Sequence, residues 1–407
     1  MTYLKIILIH IAKFLSFYVG LFFRLFQEKH TDPFKFKKII INRSDRIGDA
    51  IISRPLIRCF IEYMQKKGWK GEFEIISSGG NDSILRPLEA LENVSVIKNS
   101  DASYDSYSRN PFTTMVKTFK FIQTFHRNKR KGKKRVLFID LLDSLTEFGE
   151  YKNIKGIENA FWVSANRWFA NPCFDISYKY RYTRSGHQLN QNYIDSFQSI
   201  FGWTDFDEFV YTKNAYFYPG EKNNSKEILL FLSVKSMRDI GASLWERMIR
   251  DLIKYKELTV TVMDIEHTEI FKALEKRLST NLKVNFIVKK MPFDNFQKYA
   301  SEFGCVIGID GGGINLIRNL TNSLTIFTVG DYSVWSPYRL DRKIEKKSCG
   351  KNWEFVHFTN ENKQSFAYIY KKSFWVPSFQ LELPEKTWQS LDTEKLAHFI
   401  HLHFFKQ

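Results

Sequence analysis

Two series of short apolar runs, each run followed by a helical pattern, constrain the fold of this chain more than any other feature. The first series includes residues 38–42 (KIIIN) and 135–140 (RVLFID), and the second includes 228–232 (ILLFL) and 305–309 (CVIGI). Parallel strands need a crossover connection, usually a helix, between one strand and the next. The alternation therefore predicts an α/β protein of two doubly wound, Rossmann-like domains.

The length and composition agree with two folded domains. The chain has 407 residues, more than one ordinary domain contains, and its hydrophobic and charged fractions of 43% and 26% are typical of globular proteins. These values exclude a disordered, a collagenous and a polytopic membrane chain. We place the first domain at residues 36–205, the second at 220–385 and a hinge at 203–225. A final amphipathic helix, within residues 388–407, is expected to pack back towards the first domain.

The apolar N-terminal segment, residues 1–30, predicts an amphipathic helix that associates with a membrane. Its polar residues are spaced 3, 4, 4 and 3 apart and form one narrow stripe on a helix: Lys13, Ser16, Gly20, Arg24 and Gln27. Lys13 near the middle counts against a helix that crosses the bilayer, and the segment lacks the small-residue cleavage site of a signal peptide. A helix packed on the protein's own core and a single-pass anchor are the alternatives.

A surplus of positive charge indicates an anionic partner. The chain has 61 Lys and Arg against 44 Asp and Glu, a formal net charge of +17. An anionic membrane surface, a phosphorylated substrate and nucleic acid could each supply the negative charge. Nucleic acid is disfavoured, because the 38 Phe residues fall mostly at core positions rather than between basic residues on one surface.

The four cysteines predict neither a disulfide framework nor a metal site. Cys59, Cys173, Cys305 and Cys349 lie far apart, with no C-x-x-C pair and no Cys/His cluster at zinc spacing. We therefore expect reduced thiols and no bound metal.

The loop at residues 43–49 (RSDRIGD) is the first candidate for chemistry, because it joins a predicted strand to a predicted helix. In doubly wound sheets, ligands bind beyond the carboxyl ends of the strands. We expect Gly48 to let the backbone turn tightly, and Asp49 to lie near the helix start, where the helix dipole stabilises a carboxylate. Asp49 could then accept a proton. A capping Asp without a catalytic role is the alternative.

A glycine-rich loop, residues 308–313 (GIDGGG), lies between another predicted strand and a predicted helix. Backbone N–H groups at a helix start can bind a diphosphate. The loop fits neither G-x-G-x-x-G nor the P-loop pattern, so a dinucleotide site and a P-loop are disfavoured. A tight turn without a ligand is the alternative.

A third loop, residues 233–238 (SVKSMR), contains Lys235 and Arg238 directly after the strand ILLFL. These two cations could supply countercharge to a leaving phosphate. Solvated basic residues without a ligand are the alternative.

Taken in order and spacing, these loops resemble glycosyltransferase family 9, the lipopolysaccharide heptosyltransferase family, over about residues 37–400. IINRSDRIGDAIISRPLI is similar to the family's strand, Gly-Asp loop and helix with a proline. VLFIDLLDSL resembles its strand that ends in Asp, and HQLNQNYIDSFQSIFG resembles its helix with His and Tyr, here His187 and Tyr193. GIDGGGINLIRNLTNSLTIFTVGDYSVWSPY resembles the nucleotide-sugar loop and the segment after it.

The resemblance implies a GT-B fold, with two domains facing across a cleft, and inverting transfer from a nucleotide sugar without a metal or other cofactor. It implies ADP-heptose as donor and an anionic glycolipid or oligosaccharide, the lipopolysaccharide or lipooligosaccharide core, as acceptor at the cytoplasmic face of the inner membrane. Asp49 takes the role of general base. The donor and its phosphates are assigned to Lys235, Arg238, Glu269, Asp310, Gly311, Gly312, Gly313 and Asn315, and the acceptor side to Arg46, Gly48, Asp140 and His187.

Three departures from the family pattern leave other functions open. Gly311 and Asn315 replace a Thr and a His, the Pro-Gly that opens the basic loop is missing, and Asp264 and Ile265 stand in place of paired glycines. One alternative is a transferase of the same fold that uses another nucleotide sugar for capsule or other surface-glycan synthesis. The other is a non-catalytic, membrane-associated protein that binds polyanions.

Overall fold

The computed structural model describes most of two folded units. The described residues are 28–44, 47–99, 135–141, 157, 160–165, 175–177, 189–232, 240–327, 345–348, 353–359, 363–371 and 390–406. The chain divides into the units Met1–Asn214 and Ala215–Gln407, and this boundary falls inside the segment 203–225 where the sequence places a hinge. The N-terminal helix predicted within residues 1–30 lies outside the described residues, which begin at residue 28.

The first unit is built on a parallel sheet. Its strands are β1 (Lys38–Asn42), β2 (Glu72–Ser78), β3 (Val94–Asn99), β4 (Val136–Asp140), β5 (Ala160–Ser164) and β6 (Ile176–Ser177), and they lie in the order β3–β2–β1–β4–β5–β6. The accompanying helices are α1 (Ile47–Lys66), α2 (Asp82–Leu85), α3 (Leu189–Phe201) and α4 (Phe206–Thr212). The doubly wound arrangement predicted for the first domain is confirmed.

Apolar side chains of the sheet and helices fill the core of the first unit. Ile39, Ile40 and Ile41 of β1 are all buried, as expected for a central strand covered on both faces. Phe60 of α1 packs against a cluster of aromatic rings: Phe73, Phe197, Phe201, Trp203 and Phe206. Part of the Phe content of the chain therefore belongs to this core, where large rings bury much apolar area.

The second unit contains a larger sheet. Its strands are β7 (Glu227–Phe231), β8 (Thr259–Asp264), β9 (Val284–Val288), β10 (Cys305–Ile309), β11 (Asn322–Phe327), β12 (Glu345–Ser348), β13 (Trp353–Thr359) and β14 (Ser365–Lys371). They lie in the order β12–β13–β14–β11–β10–β7–β8–β9. The strands from β14 to β9 are parallel, whereas β12 and β13 add an antiparallel edge that the sequence analysis did not predict.

The C-terminal helix packs on the second unit. The helices of this unit are α5 (Ala242–Leu252), α6 (Glu269–Leu278), α7 (Phe293–Ser301), α8 (Gly312–Ile317) and α9 (Thr393–Ile400), the last followed by a π-helical turn, His401–Phe405. Leu396 and Ile400 of α9 share a buried cluster with Trp245 and Met248 of α5. Thr393 Oγ1 also donates a hydrogen bond to Asp251 Oδ2 at 2.7 Å. We expected this helix to pack towards the first domain, but its apolar face completes the core of the second unit.

Both sheets reverse their strand order beside their first strand. In the first unit β2 lies on one side of β1 and β4 on the other, and in the second unit β8 and β10 flank β7 in the same way. Loops diverge at such a reversal, and the crevice beyond the carboxyl ends of the strands is where doubly wound sheets bind ligands. The candidate ligand-binding loops are therefore those after β1 and β4 in the first unit, and those after β7 and β10 in the second.

Two cysteines are predicted to be chemically inert in the folded protein. Cys59 and Cys305 are both free and buried. Burial raises the pKa of the Cys59 thiol to about 12 and that of Cys305 well above its usual value. Because the thiolate is the reactive form, we expect neither residue to be alkylated by a maleimide at neutral pH without denaturant. Peptide mapping by mass spectrometry checks this, and rapid labelling of either residue would contradict the described core.

Candidate functional site

Asp49 lies in the first turn of α1, close beyond the carboxyl end of β1. It is the third residue of the helix and is half-buried. Free N–H groups at the start of a helix stabilise a negative charge, so the ionised carboxylate is favoured there. Ser53 Oγ donates to the Asp49 carbonyl at 2.7 Å and ties the first turn to the next. The predicted position of Asp49 at a helix start is therefore observed.

Gly48 does not form the tight turn expected from the sequence. It is a residue of α1 and is not among the described glycines with a positive φ, which are Gly68, Gly202 and Gly241. Because a helical backbone is open to any residue, the conformation does not require glycine at this position.

Asp140, the last residue of β4, contacts the base of the Asp49 loop. It lies in register opposite Asn42, the last residue of β1, and is fully buried. Asn42 Nδ2 donates to Asp140 Oδ1 at 3.1 Å, and Ser44 Oγ donates to Asn42 Oδ1 at 2.9 Å. These contacts allow Asp140 to orient the loop, and its predicted place on the acceptor side stays a prediction.

The sequence analysis did not identify Arg43 as a site residue. Its side chain is only 1% exposed and lies 5.8 Å from the ring of Tyr193 of α3. Arg43 Nη1 donates to Leu141 O at 2.6 Å and to the Tyr193 hydroxyl at 2.8 Å. A basic residue in a polar loop is usually solvated, and only the conformation of distant segments reveals that this one is buried.

Several predicted site residues fall outside the described part of the chain. They are Arg46 and His187 in the first unit and Lys235 and Arg238 in the second. Their roles therefore stay predictions. Within the described residues, no group of three or more His, Cys, Asp or Glu side chains is arranged to hold a metal ion. None of the described helices combines the length and the apolar character that crossing a bilayer requires.

In the second unit the glycine-rich loop lies beyond the carboxyl end of β10. Asp310 is buried and its N–H donates to Ile326 O at 2.9 Å. Gly311 precedes α8 with an extended backbone, and its carbonyl accepts from Asn315 N–H at 3.0 Å. Asn315 is only 7% exposed, and its Oδ1 accepts no hydrogen bond within the described residues. The predicted donor residues Asp310, Gly311, Gly312, Gly313 and Asn315 thus lie in one loop and the first turn of α8, at the strand-order reversal beside β7.

Close packing explains why residue 313 is glycine. A Cβ atom there would lie only 2.2 Å from Cε1 of Phe231, the last residue of β7. The Phe231 ring is buried and packs against Phe296 at a ring distance of 4.9 Å, so it has little freedom to move away. Gly313 therefore lets α8 approach β7. This close packing positions the glycine-rich loop, whether or not the Gly313 N–H binds a phosphate.

Glu269 belongs to a helix rather than to the loop after β8. It is the first residue of α6, its side chain is 88% exposed, and Lys272 Nζ lies 2.7 Å from its Oε1. The hydrogen bond and charge of Lys272 lower the pKa of the Glu269 carboxyl. Asp264, which ends β8, turns the chain by accepting from the N–H groups of Ile265 and Thr268. Glu266 lies in the loop between β8 and α6 and is exposed. The sequence analysis did not select it, because the end of β8 was not located to the residue.

Comparison with solved structures identifies the fold. No family model matches the sequence, and no curated protein matches it. The chain is similar to the structure of E. coli heptosyltransferase WaaC with ADP, with a TM-score of 0.53, 12% identity and coverage of 90% of this chain and 99% of that one. The chain has the GT-B fold. The GT-B fold expected from the sequence motifs is thereby confirmed, while 12% identity leaves the reaction to be argued from the site.

Two weaker similarities accompany the GT-B assignment. A glycosyl transferase family 9 protein from Veillonella parvula DSM 2008 shares 14% identity, with a TM-score of 0.49 and coverage of 76% and 86% of the two chains. The UDP-GlcNAc 2-epimerase from Neisseria meningitidis bound to UDP-GlcNAc shares 12% identity, with a TM-score of 0.36 and coverage of 71% and 82%. Both TM-scores lie below 0.5, so the GT-B assignment depends on the heptosyltransferase structure.

Proposed function

We propose that this protein is an inverting glycosyltransferase that moves a sugar from a nucleotide sugar to a hydroxyl group of a surface glycan. The observation that carries the proposal is the position of Asp49. It lies in the first turn of α1, at the strand-order reversal of the first sheet of a GT-B fold. A carboxylate at that place can accept a proton from a bound substrate.

The proposed reaction needs one proton acceptor and several positive partial charges. Asp49 takes the proton of the acceptor hydroxyl while the oxygen of that hydroxyl forms a bond to the anomeric carbon. The bond from that carbon to the nucleotide diphosphate breaks on the opposite face. The N–H groups of Gly311 and Gly312, together with Lys235 or Arg238, would stabilise the negative charge that develops on the diphosphate. Positioning and charge compensation by protein groups then supply the catalysis.

An ADP-sugar, with heptose as the sugar, is the donor that we propose. A solved structure of similar fold is a heptosyltransferase with ADP, and the sequence motifs resemble the heptosyltransferase family. Asn315 Oδ1, an acceptor without a hydrogen bond in the described part of the chain, and the exposed Glu266 offer oxygen atoms to hydroxyl groups of the donor. Glu269 is the alternative to Glu266.

For the acceptor we propose a lipopolysaccharide or lipooligosaccharide core, or a related anionic glycan, at the cytoplasmic face of the inner membrane. The net charge of +17 attracts a phosphorylated glycolipid and an anionic membrane surface alike. An amphipathic helix within residues 1–30 would hold the enzyme against that surface.

ADP is expected to stabilise the protein more than UDP, GDP or CDP does. A ligand present at 100 times its Kd stabilises the folded state by about 2.7 kcal/mol, or roughly 5–10 °C for a unit of this size. Thermal melts with each nucleotide at equal concentration measure the shift. A mass-spectrometric assay with ADP-heptose and a purified core oligosaccharide then tests transfer directly.

Each outcome of the nucleotide screen decides between the functions considered. A larger shift with UDP, GDP or CDP would replace the heptose donor by another nucleotide sugar. If no nucleotide shifts the melting temperature and no sugar is transferred, the protein is not a glycosyltransferase. Salt-sensitive binding to heparin or anionic vesicles would then support the polyanion-binding alternative.

A further inference from the structure

The buried guanidinium of Arg43 joins three segments at the base of the Asp49 loop. Besides the bonds that Arg43 Nη1 donates to Leu141 O and Tyr193, the Tyr193 hydroxyl donates to the same Leu141 carbonyl at 3.0 Å. The three groups close a hydrogen-bonded triangle between the end of β1, the residue after β4 and α3. A charged group is buried only where such partners compensate for its lost hydration, so the triangle has a fixed geometry.

The same helix, α3, also contacts the chain on the other side of Asp49. Asn190, one turn before Tyr193, is buried, and its Nδ2 donates to Ile52 O at 3.0 Å. Arg43 precedes Asp49 by six residues and Ile52 follows it by three. Two side chains of one helix therefore hold both flanks of the short segment that carries the proposed base.

Neighbouring strands hold the loop base from two further directions. Asn81, which follows β2, donates from Nδ2 to Arg43 O at 2.7 Å. On the other side, Asp140 of β4 accepts from Asn42, whose own side chain accepts from Ser44. These contacts anchor residues 42–44 to the sheet, whereas the contacts from α3 extend past them to α1.

We propose that Tyr193 and Asn190 are positioning residues that fix Asp49 for proton transfer, Tyr193 through Arg43 and Asn190 through Ile52. The proposal rests on the function of Asp49 as the base. Proton transfer requires a heavy-atom distance of about 2.6–3.2 Å in the reacting complex. A displacement of about 1 Å can lower the rate by about 100-fold, so small changes in α3 act on turnover without touching the substrate.

Two tyrosine variants separate positioning from general stability. Tyr193→Phe keeps the ring and removes the hydroxyl that links α3 to Arg43. Tyr63→Phe is the matched control, because Tyr63 is also buried, its hydroxyl is bonded to Asp205, and it lies near the far end of α1 from Asp49. We expect Tyr193→Phe to lower kcat at least tenfold with the donor KM within twofold of wild type. Tyr63→Phe should leave kcat within twofold, although both variants melt at lower temperatures.

Hydrogen–deuterium exchange gives a readout that does not require activity. Peptides that span residues 43–56 should exchange faster in Tyr193→Phe than in wild type and Tyr63→Phe. Asn190→Ala should behave like Tyr193→Phe, and it replaces that variant if Tyr193→Phe fails to fold. Unchanged kcat in both α3 variants would overturn the proposal. If wild type transfers no sugar, the proposed function fails, and the exchange of residues 43–56 alone decides whether α3 positions the segment: equal rates in all proteins would overturn it.

Discussion

Replacing Asp49 by Asn is expected to lower kcat by about 10²- to 10⁴-fold, the contribution typical of a general base. Asn has nearly the same shape and is also accepted at a helix start, but its amide does not take up a proton from the acceptor hydroxyl. Donor binding depends on groups of the second unit in our proposal, so ADP should shift the melting temperature of the variant as it does that of wild type. Initial rates at saturating substrates and thermal melts with ADP measure the two effects.

Asp207→Asn is the control for loss of a carboxylate at a helix start. Asp207 is half-buried in the first turn of α4, in the same unit as Asp49. Its replacement should cost about 0.3–1 kcal/mol of helix-dipole stabilisation and leave kcat unchanged. Turnover by Asp49→Asn at the wild-type rate would remove Asp49 as the base and return it to the role of a capping residue.

Gly313→Ala is expected to destabilise the second unit by about 1–3 kcal/mol, the usual cost of forcing an extra methyl group into a packed site. The added Cβ would meet the Phe231 ring at 2.2 Å, so either the ring or α8 must move. Movement of α8 displaces Gly311 and Gly312, and the stabilisation by ADP should fall with it. A melting temperature lower by roughly 2–12 °C, together with a smaller ADP shift, is the expected result.

Two further variants show whether the Phe231 contact is the cause. At Gly79 a Cβ would meet only Lys98 Cε, at the ordinary distance of 3.6 Å, so Gly79→Ala should change stability by less than about 0.5 kcal/mol. Phe231→Leu removes the ring edge that Gly313→Ala meets. The double variant should therefore be less destabilised than the sum of the two single variants, and strict additivity would contradict the packing explanation.

Local patterns in the sequence predict the elements that position Asp49. KIIIN is β1 and RVLFID contains β4. The helix predicted after the loop 43–49 is α1, which already begins at Ile47. These signals are local, because burial of a parallel strand on both faces needs a continuous apolar run. The end of β1 and the start of a helix then place a carboxylate at residue 49 without knowledge of any distant segment.

The features that the sequence does not predict depend on contacts between distant residues. Nothing in the local sequence distinguishes Arg43 from a solvated loop cation, and its burial depends on Tyr193, 150 positions later. The local sequence suggests that Gly313 is a phosphate-binding glycine. The structure shows that position 313 requires a small residue because of the Phe231 ring at the end of β7. The amphipathic pattern of α9 does not specify its partner, and the apolar face of α5 determines where it packs. Periodicity and composition do not specify which distant residues a side chain or helix packs against.

Because α9 contributes to the core of the second unit, that core can be completed only late in translation. Every strand and helix of the first unit has been synthesised by residue 214, so its core can close while the rest of the chain is still being made. The second unit lacks Leu396, Ile400 and Phe404 of its core until the ribosome reaches them. Nascent chains that stop before α9 would expose the apolar face of α5 and require chaperones or proteolysis.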